Sequence, residues 1–257
     1  MSDQKVDVIP ARRMPEDDLS GVRYKQTKPI KISKSQLKEN RIISGMDLGV
    51  EMDAYRKLRT RVLKKMKKNN WNVLAVTSPA PGAGKTLTAI NLAISIAMEV
   101  DKTVLLIDAD LRQSRVNKYF GLPETMLGLS DYLTSDISLE RLLINPGIGR
   151  LIILPGGKLM HHSSEILSSP KMKRLVEEVK SRYESRYVIF DLPPMLASDD
   201  AMGFAPLVDA TLLVVEDGVA NIDELKSSIE LLEDANLIGT VLNKSREPVK
   251  DYYYGKY

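Results

Sequence analysis

The apolar positions of this 257-residue chain fall into two kinds of run. Six stretches are continuous: Val73–Thr77, Thr103–Asp108, Leu151–Pro155, Tyr187–Asp191, Ala210–Val215 and Leu237–Asn243. Unbroken runs of this length, rather than alternating ones, predict strands of a parallel sheet that is covered on both faces. Between them lie stretches with helical character. Met52, Tyr55, Leu58, Val62 and Met66 recur at three- and four-residue spacing and predict a helix over 50–69 with one apolar stripe. Leu87–Ala97 has the length and Ala/Leu content of a second helix. Ser169-Pro170 reads as an N-cap followed by Pro at the first helical position, opening a helix to about Glu184. Shorter helices are predicted at Val116–Phe120 and near 222–235, and Leu129–Leu133 is expected to pack on the sheet. Strands alternating with helices in this way predict one three-layer α/β domain with a mostly parallel sheet.

The two ends behave differently. Residues 1–45 show little periodicity, many charges, and Pro10, Pro15 and Pro29, and are expected to form a mobile arm with room for one short ordered piece. Residues 46–243 hold the domain, including its basic first helix, and residues 244–257 form a tail with Tyr252, Tyr253, Tyr254 and Tyr257. Hydrophobic content of 43% fits a globular protein. No apolar run has the length to span a bilayer and the start lacks a signal-peptide core, so a cytoplasmic location is expected. The absence of cysteine excludes disulfides and thiolate metal sites. His161-His162, the only histidines, have no third ligand of their kind nearby and are read as loop residues.

Net charge is only +3, but residues 1–70 hold 18 Lys/Arg against 9 Asp/Glu, which leaves the remainder net negative. That asymmetry points to an anionic partner for the basic part: a membrane surface, nucleic acid or an acidic protein face.

The chemistry concentrates where the first long strand ends. Ser78-Pro-Ala-Pro81-Gly82-Ala83-Gly84-Lys85-Thr86-Leu87 joins that strand to a helix, the context in which a glycine-rich loop cradles phosphates. Glycines let backbone N–H groups turn to one point, Lys85 would reach the β/γ-phosphates and the Thr86 hydroxyl would bind Mg²⁺. The common loop pattern has Gly where this chain has Pro79. The ParA/MinD variant has a signature Lys where this chain has Ala80, which places the loop in the deviant Walker A class but weighs against a ParA/MinD-type switch. Asp108 and Asp110 follow the second strand, two residues apart and therefore on the same side of an extended chain; Asp191 ends the fourth. Like charges there call for a cation or a proton-transfer role. In Asn243-Lys244-Ser245-Arg246, Arg246 stands where guanine-binding proteins carry an Asp acceptor, so ATP is the expected nucleotide and Asn243 a candidate adenine contact.

Three motifs together carry a resemblance. Pro81–Thr86, Leu105-Leu-Ile-Asp108-Ala-Asp110-Leu-Arg112 and Val188-Ile-Phe-Asp191-Leu-Pro193 are similar to the Walker A, A′ and B motifs of the bacterial tyrosine kinases (BY-kinases) of capsule and exopolysaccharide systems. Gly128–Leu133 and Ser164–Ser169 also resemble family segments, and the likeness covers residues 50–257. It implies a P-loop NTPase fold and an ATP- and Mg²⁺-dependent autokinase that phosphorylates its own C-terminal tyrosine cluster. It also implies regulation of polysaccharide polymerisation and export. Lys85 would neutralise charge on the transferring phosphoryl group. Thr86, Asp108 and Asp191 would position the metal, and Asp108 or Asp110 would take the tyrosine proton. Asp53-x-x-Arg56-x-x-Arg59 resembles the family's oligomer contact with Asp in place of Glu, and Leu192 replaces a usual Thr. The chain resembles the split form of the family. Its expected partners are a membrane-embedded co-polymerase activator that holds it at the inner face of the membrane, further copies in a ring, and a cognate tyrosine phosphatase, but no nucleic acid. The competing readings are a ParA/MinD-like ATPase switch and a non-enzymatic nucleotide-binding scaffold.

Overall fold

The computed structural model describes residues 28–30, 32–43, 49–181 and 186–245. A two-residue strand, β1 (Lys28–Pro29), leads into α1 (Lys34–Glu39) and the long α2 (Val50–Lys68). The nucleus of the domain follows: β2 (Val73–Thr77), α3 (Lys85–Ala97) and β3 (Thr103–Asp108). Short helices α4 (Val116–Phe120) and α5 (Leu129–Thr134) come next, followed by β4 (Ile144–Asn145), β5 (Leu151–Leu154), α6 (Ser163–Leu167) and α7 (Pro170–Ser181). The chain then passes through β6 (Arg186–Asp191), α8 (Asp200–Phe204), β7 (Ala210–Glu216), α9 (Ile222–Glu230) and β8 (Leu237–Asn243).

The sheet has eight strands in the order β1-β4-β5-β3-β6-β2-β7-β8, parallel throughout except between β4 and β5. All six expected strands are present. Their continuous apolar pattern has the expected cause: β2 and β6 are buried at every position because helices cover both faces. Leu74, Val76, Leu106 and Ile189 face one core with α2 and α3, whereas Val73, Leu105, Val188 and Phe190 face the other with α7 and α8. The stripe on α2 buries Met52, Val62 and Met66 in the first core, with Tyr55 and Leu58 packed beside them.

Within the expected arm, the described residues 28–30 and 32–43 include an ordered piece that packs against the domain. Ser33 caps α1 by accepting from the Gln36 amide at 3.2 Å. Leu37, Ile42 and Ile43 are buried in the α2–α3 core, and Asn91 of α3 holds the Ile43 amide at 3.0 Å. The burial of these three apolar side chains and the Asn91 hydrogen bonds hold the segment to the domain.

Strands β3 and β6 are neighbours in register, with Asp108 opposite Asp191, and β2 lies on the other side of β6. The sheet therefore brings the phosphate-loop strand and both carboxylate-bearing strands together at one edge, the carboxyl ends where ligands bind in open parallel sheets. Among the described residues no helix is long and apolar enough to cross a membrane.

Candidate active site

The loop after β2 is shaped by two glycines. Gly82 and Gly84 have φ of 89° and 90°, a left-handed geometry that a Cβ disfavours. At Gly84 space is also short, since a Cβ would lie 2.2 Å from Asn243 Nδ2, whereas at Gly82 it would meet nothing within 4 Å. Gly84→Ala is therefore expected to distort the loop and abolish nucleotide binding. Gly82→Ala should add only left-handed strain, about 1 kcal/mol. Thermal unfolding and binding of a fluorescent ATP analogue distinguish the two.

Lys85 opens α3 with its side chain buried in the cleft. Its Nζ lies 2.8 Å from Asp110 Oδ2 and 3.4 Å from Asp191 Oδ1, and the Thr86 hydroxyl donates to Asp191 Oδ2 at 2.6 Å. Burial alone would lower the lysine pKa, but the charges of Asp191 and then Asp110 outweigh it and the net shift is upward. Asp191 has no exposed side-chain surface, and its pKa is raised by burial against the opposing pull of Lys85 and Thr86.

Asp108 sits differently. Its Oδ2 accepts from Ser114 Oγ at 2.7 Å and from the Arg115 and Val116 amides at 3.0 Å each, and its Oδ1 accepts from the Asp110 amide at 3.2 Å. The carboxylate thus tethers the start of α4. Burial and the nearby Asp191 charge still push its pKa up to about 7. Between the ordinary value of 3.8 and about 7, the folded state binds the proton that the unfolded state has lost. This group's contribution to stability therefore falls as pH rises through that window. Urea unfolding without divalent cations should show the wild type losing more stability between pH 5 and 8 than Asp108→Asn, by a few kcal/mol on the order expected for a shift of this size.

Three carboxylates against one lysine leave the edge with surplus negative charge, a donor set that fits a divalent cation. Mg²⁺ takes few protein ligands and keeps waters and phosphate oxygens, so the adjacent Thr86 hydroxyl and Asp191 carboxylate suit it. No group of three or more His, Cys, Asp or Glu forms a closed cage among the described residues.

Above these residues lies an open cleft of about 220 Å³, lined by Pro81, Gly82, Gly84, Lys85, Thr86 and Asp110 on the loop side and by Pro193, Pro194, Ala197 and Ser198 opposite. Of the other expected nucleotide contacts, Ala83 is buried and its carbonyl accepts from Asn243 Nδ2 at 2.8 Å. Asn243 thus braces the loop from behind. Leu87 packs on the α2–α3 core, not in the cleft. On α2, Asp53 and Arg56 make an exposed ion pair at 3.2 Å. Arg59 turns into its own domain, donating to the Ser95 carbonyl at 2.8 Å and pairing with Glu99 at 3.1 Å. Tyr252, Tyr253, Tyr254 and Tyr257 lie outside the described residues, as does Arg246.

One arrangement escaped the sequence reading. Arg112 extends from β3's loop along the cleft, and its Nε and Nη2 reach the two Asp200 oxygens at 3.2 and 3.3 Å. Ser163 Oγ accepts from Arg112 Nε at 2.9 Å and donates to Asp200 at 2.5 Å. This fixes the starts of α6 and α8 against the site. The motif segment 128–133 is anchored similarly: the Leu129 and Ser130 amides donate to the carbonyls of Pro155 and Gly156, and Asp131 accepts from the Gly128 amide.

The fold and the loop define a P-loop nucleotide-binding protein, and residues 71–217 match the family described as an AAA domain. Tyrosine-protein kinase YwqD of Bacillus subtilis (strain 168) is 33% identical over 225 residues, covering 86% of this chain and 93% of its own length. The chain belongs to the bacterial tyrosine-protein kinase family. The putative tyrosine-protein kinase EpsB of Ralstonia solanacearum is 34% identical over 206 residues, 79% of this chain, which spans only 27% of that relative's length. Among solved structures, the kinase domain of Escherichia coli tyrosine kinase ETK superposes with a TM-score of 0.71 at 28% identity, covering 87% of this chain and 99% of that one. MinD of Pyrococcus horikoshii OT3, solved with Mg-ADP, has a TM-score of 0.56 at 22% identity over 68% of this chain and 72% of its own, a likeness of fold alone.

Proposed function

We propose that this chain transfers the γ-phosphoryl group of ATP to tyrosines of its own C-terminal cluster. The observation that carries this reading is the convergence of Lys85, Thr86 and Asp110 in one cleft on the phosphate loop, with the buried Asp191 in contact with Lys85 and Thr86. The loop amides and Lys85 hold the phosphates and offset the charge that develops as the phosphoryl group moves, the main requirement in phosphoryl transfer. Thr86 and Asp191 would hold the metal ion, with Asp108 opposite Asp191 on the neighbouring strand. Bound there, Mg²⁺ would supply charge neutralisation across the phosphates.

The tyrosyl oxygen bonds to the γ-phosphorus as the bond to the bridging oxygen of ADP breaks, and the phenolic proton passes to a carboxylate. Of the two candidates, Asp110 lines the cleft, whereas Asp108 is occupied by Ser114 and the α4 amides. We therefore assign the base to Asp110. Phenol with a pKa near 10 gains from such a base at neutral pH.

The tail from Lys244 to Tyr257 is 14 residues long and extends at most roughly 45 Å, enough to enter a neighbouring copy's cleft. A ring of copies, a membrane-embedded activator that keeps the protein at the inner membrane face, a partner phosphatase, and control of exopolysaccharide polymerisation and export complete the proposal. Arg59's internal contacts leave the exposed Asp53–Arg56 pair as the part of the α2 motif open to such a ring. The competing ATPase switch shares the fold, but Ala80 stands where that class carries its signature lysine.

The test is mass spectrometry of the C-terminal peptide after incubation with Mg·ATP, with an activating segment present and Lys85→Met alongside. Phosphate on Tyr252–Tyr257 that vanishes in the variant supports the autokinase. ATP hydrolysis with no tail phosphate under the same conditions overturns it in favour of the switch.

A further inference from the structure

A second cleft of about 300 Å³ opens beside the first and shares three of its wall residues, Arg112, Gln113 and Arg115. Its charged lining is basic: Arg112, Arg115, Lys118 and Lys158 against Glu124 alone. Arg115 and Lys118 are exposed, and among the described residues neither has a carboxylate within ion-pair distance. Lys158 meets Asp131 only at 3.7 Å with its side chain 78% exposed. Arg112 is held in place by Asp200 and stands in the wall between the two clefts. A second anionic ligand therefore finds here exposed cations, Lys118 and Lys158, that lie outside the nucleotide cleft.

The proposed reaction makes such a ligand. It turns a neutral phenol into an aryl phosphate carrying about −1.5 to −2 charges. We propose that the second cleft holds a phosphotyrosine of the tail, the product of an earlier transfer, while another tyrosine of the same peptide enters the nucleotide cleft. The inference rests on the kinase reading above. In an extended peptide, residues two apart point to the same side and lie about 7 Å apart, a spacing suited to two clefts that share a wall. The tail carries that spacing in Tyr252 and Tyr254. The Arg115 guanidinium offers a fork of donors matched to phosphate oxygens, and Lys118 and Lys158 add point charges at the rim. The first phosphate then primes the next transfer, and tails proceed toward full modification.

The test uses the full chain with Tyr252, Tyr253, Tyr254 and Tyr257 each changed to Phe, so that its own tail cannot be modified. Two fluorescent peptides with the sequence of residues 246–257 are compared by anisotropy, one unphosphorylated and one phosphorylated at Tyr254. The phosphopeptide should bind about tenfold more tightly, the size expected of a few charge-assisted contacts at a solvated rim. Lys118→Glu with Lys158→Glu, both exposed and outside the nucleotide cleft, should erase that advantage, while the unphosphorylated peptide, with more basic than acidic side chains, should bind no more weakly than before. Equal affinity for the two peptides, or an advantage that survives the double reversal, overturns the proposal. So does displacement of the phosphopeptide by an equal concentration of inorganic phosphate, which would mark a general anion site. Adding Mg·ATP reads the kinase proposal separately. Transfer to neither peptide would refute that reading while the binding result stands on its own.

Discussion

Lys85→Met is expected to lower phosphoryl transfer to the tail by about 10²–10³-fold, the scale seen when one preorganised donor to a developing anion is removed. The structure adds a second effect. Lys85 is the cation between Asp110 and Asp191, at 2.8 and 3.4 Å, and Asp191 is fully buried. Without it, the buried Asp191 loses the pull of Lys85 that opposes its raised pKa, so its carboxyl shifts further upward. A protonated Asp191 is a poor metal ligand, so the variant should also need more Mg²⁺, and the more so at lower pH. Single-turnover transfer rates against Mg²⁺ concentration at pH 6.5 and 8 on the wild type and Lys85→Met test this. An unchanged Mg²⁺ dependence would remove the assigned coupling between Lys85 and Asp191.

The second large effect concerns stability. Arg112→Ala should destabilise the fold by about 3 kcal/mol, because it leaves the Asp200 side chain, which has no exposed surface, with only the Ser163 hydroxyl. Arg112→Lys keeps the charge but not the two-pronged contact, and should lie between. Combining Arg112→Ala with Asp200→Ala should restore much of the loss, since the double variant buries no lone charge. Urea unfolding of the wild type, Arg112→Ala, Asp200→Ala and the double variant gives the coupling directly. Additive losses would show that the pair contributes through packing alone.

How far these features could be read beforehand depends on how local each one is. The six long strands were legible because each is buried on both faces, so each appears as an unbroken apolar run. The helix expected over 50–69 ends at Lys68, with its stripe facing the core as predicted. Strands β1 and β4 were not legible, because two residues carry no pattern. They exist only because each has a neighbour to pair with. Leu37, Ile42 and Ile43 were hidden for another reason: the prolines and charges around them dominate the composition of the arm. Lys85, Thr86, Asp110 and Asp191 could be grouped beforehand because each is fixed to the end of a strand by a short motif. Asp108 was grouped with them, but its hydrogen-bond partners lie on the following turn and gave no signal. The Arg112–Ser163–Asp200 cluster joins residues 51 and 37 positions apart, and only the order of the strands brings them together.

The contact between Asn243 and the Ala83 carbonyl has a consequence of a mechanical kind. Strand β8 ends at Asn243, and the chain leading to the tyrosines sets out from there. The same side chain fills the space beside Gly84 and so forms the back of the phosphate loop. Loop and tail root are one joint. If the tail is the substrate arm proposed above, tension on it would be delivered at its anchor to the peptide of the phosphate loop. That arm would then double as a lever on the loop's hold on phosphate.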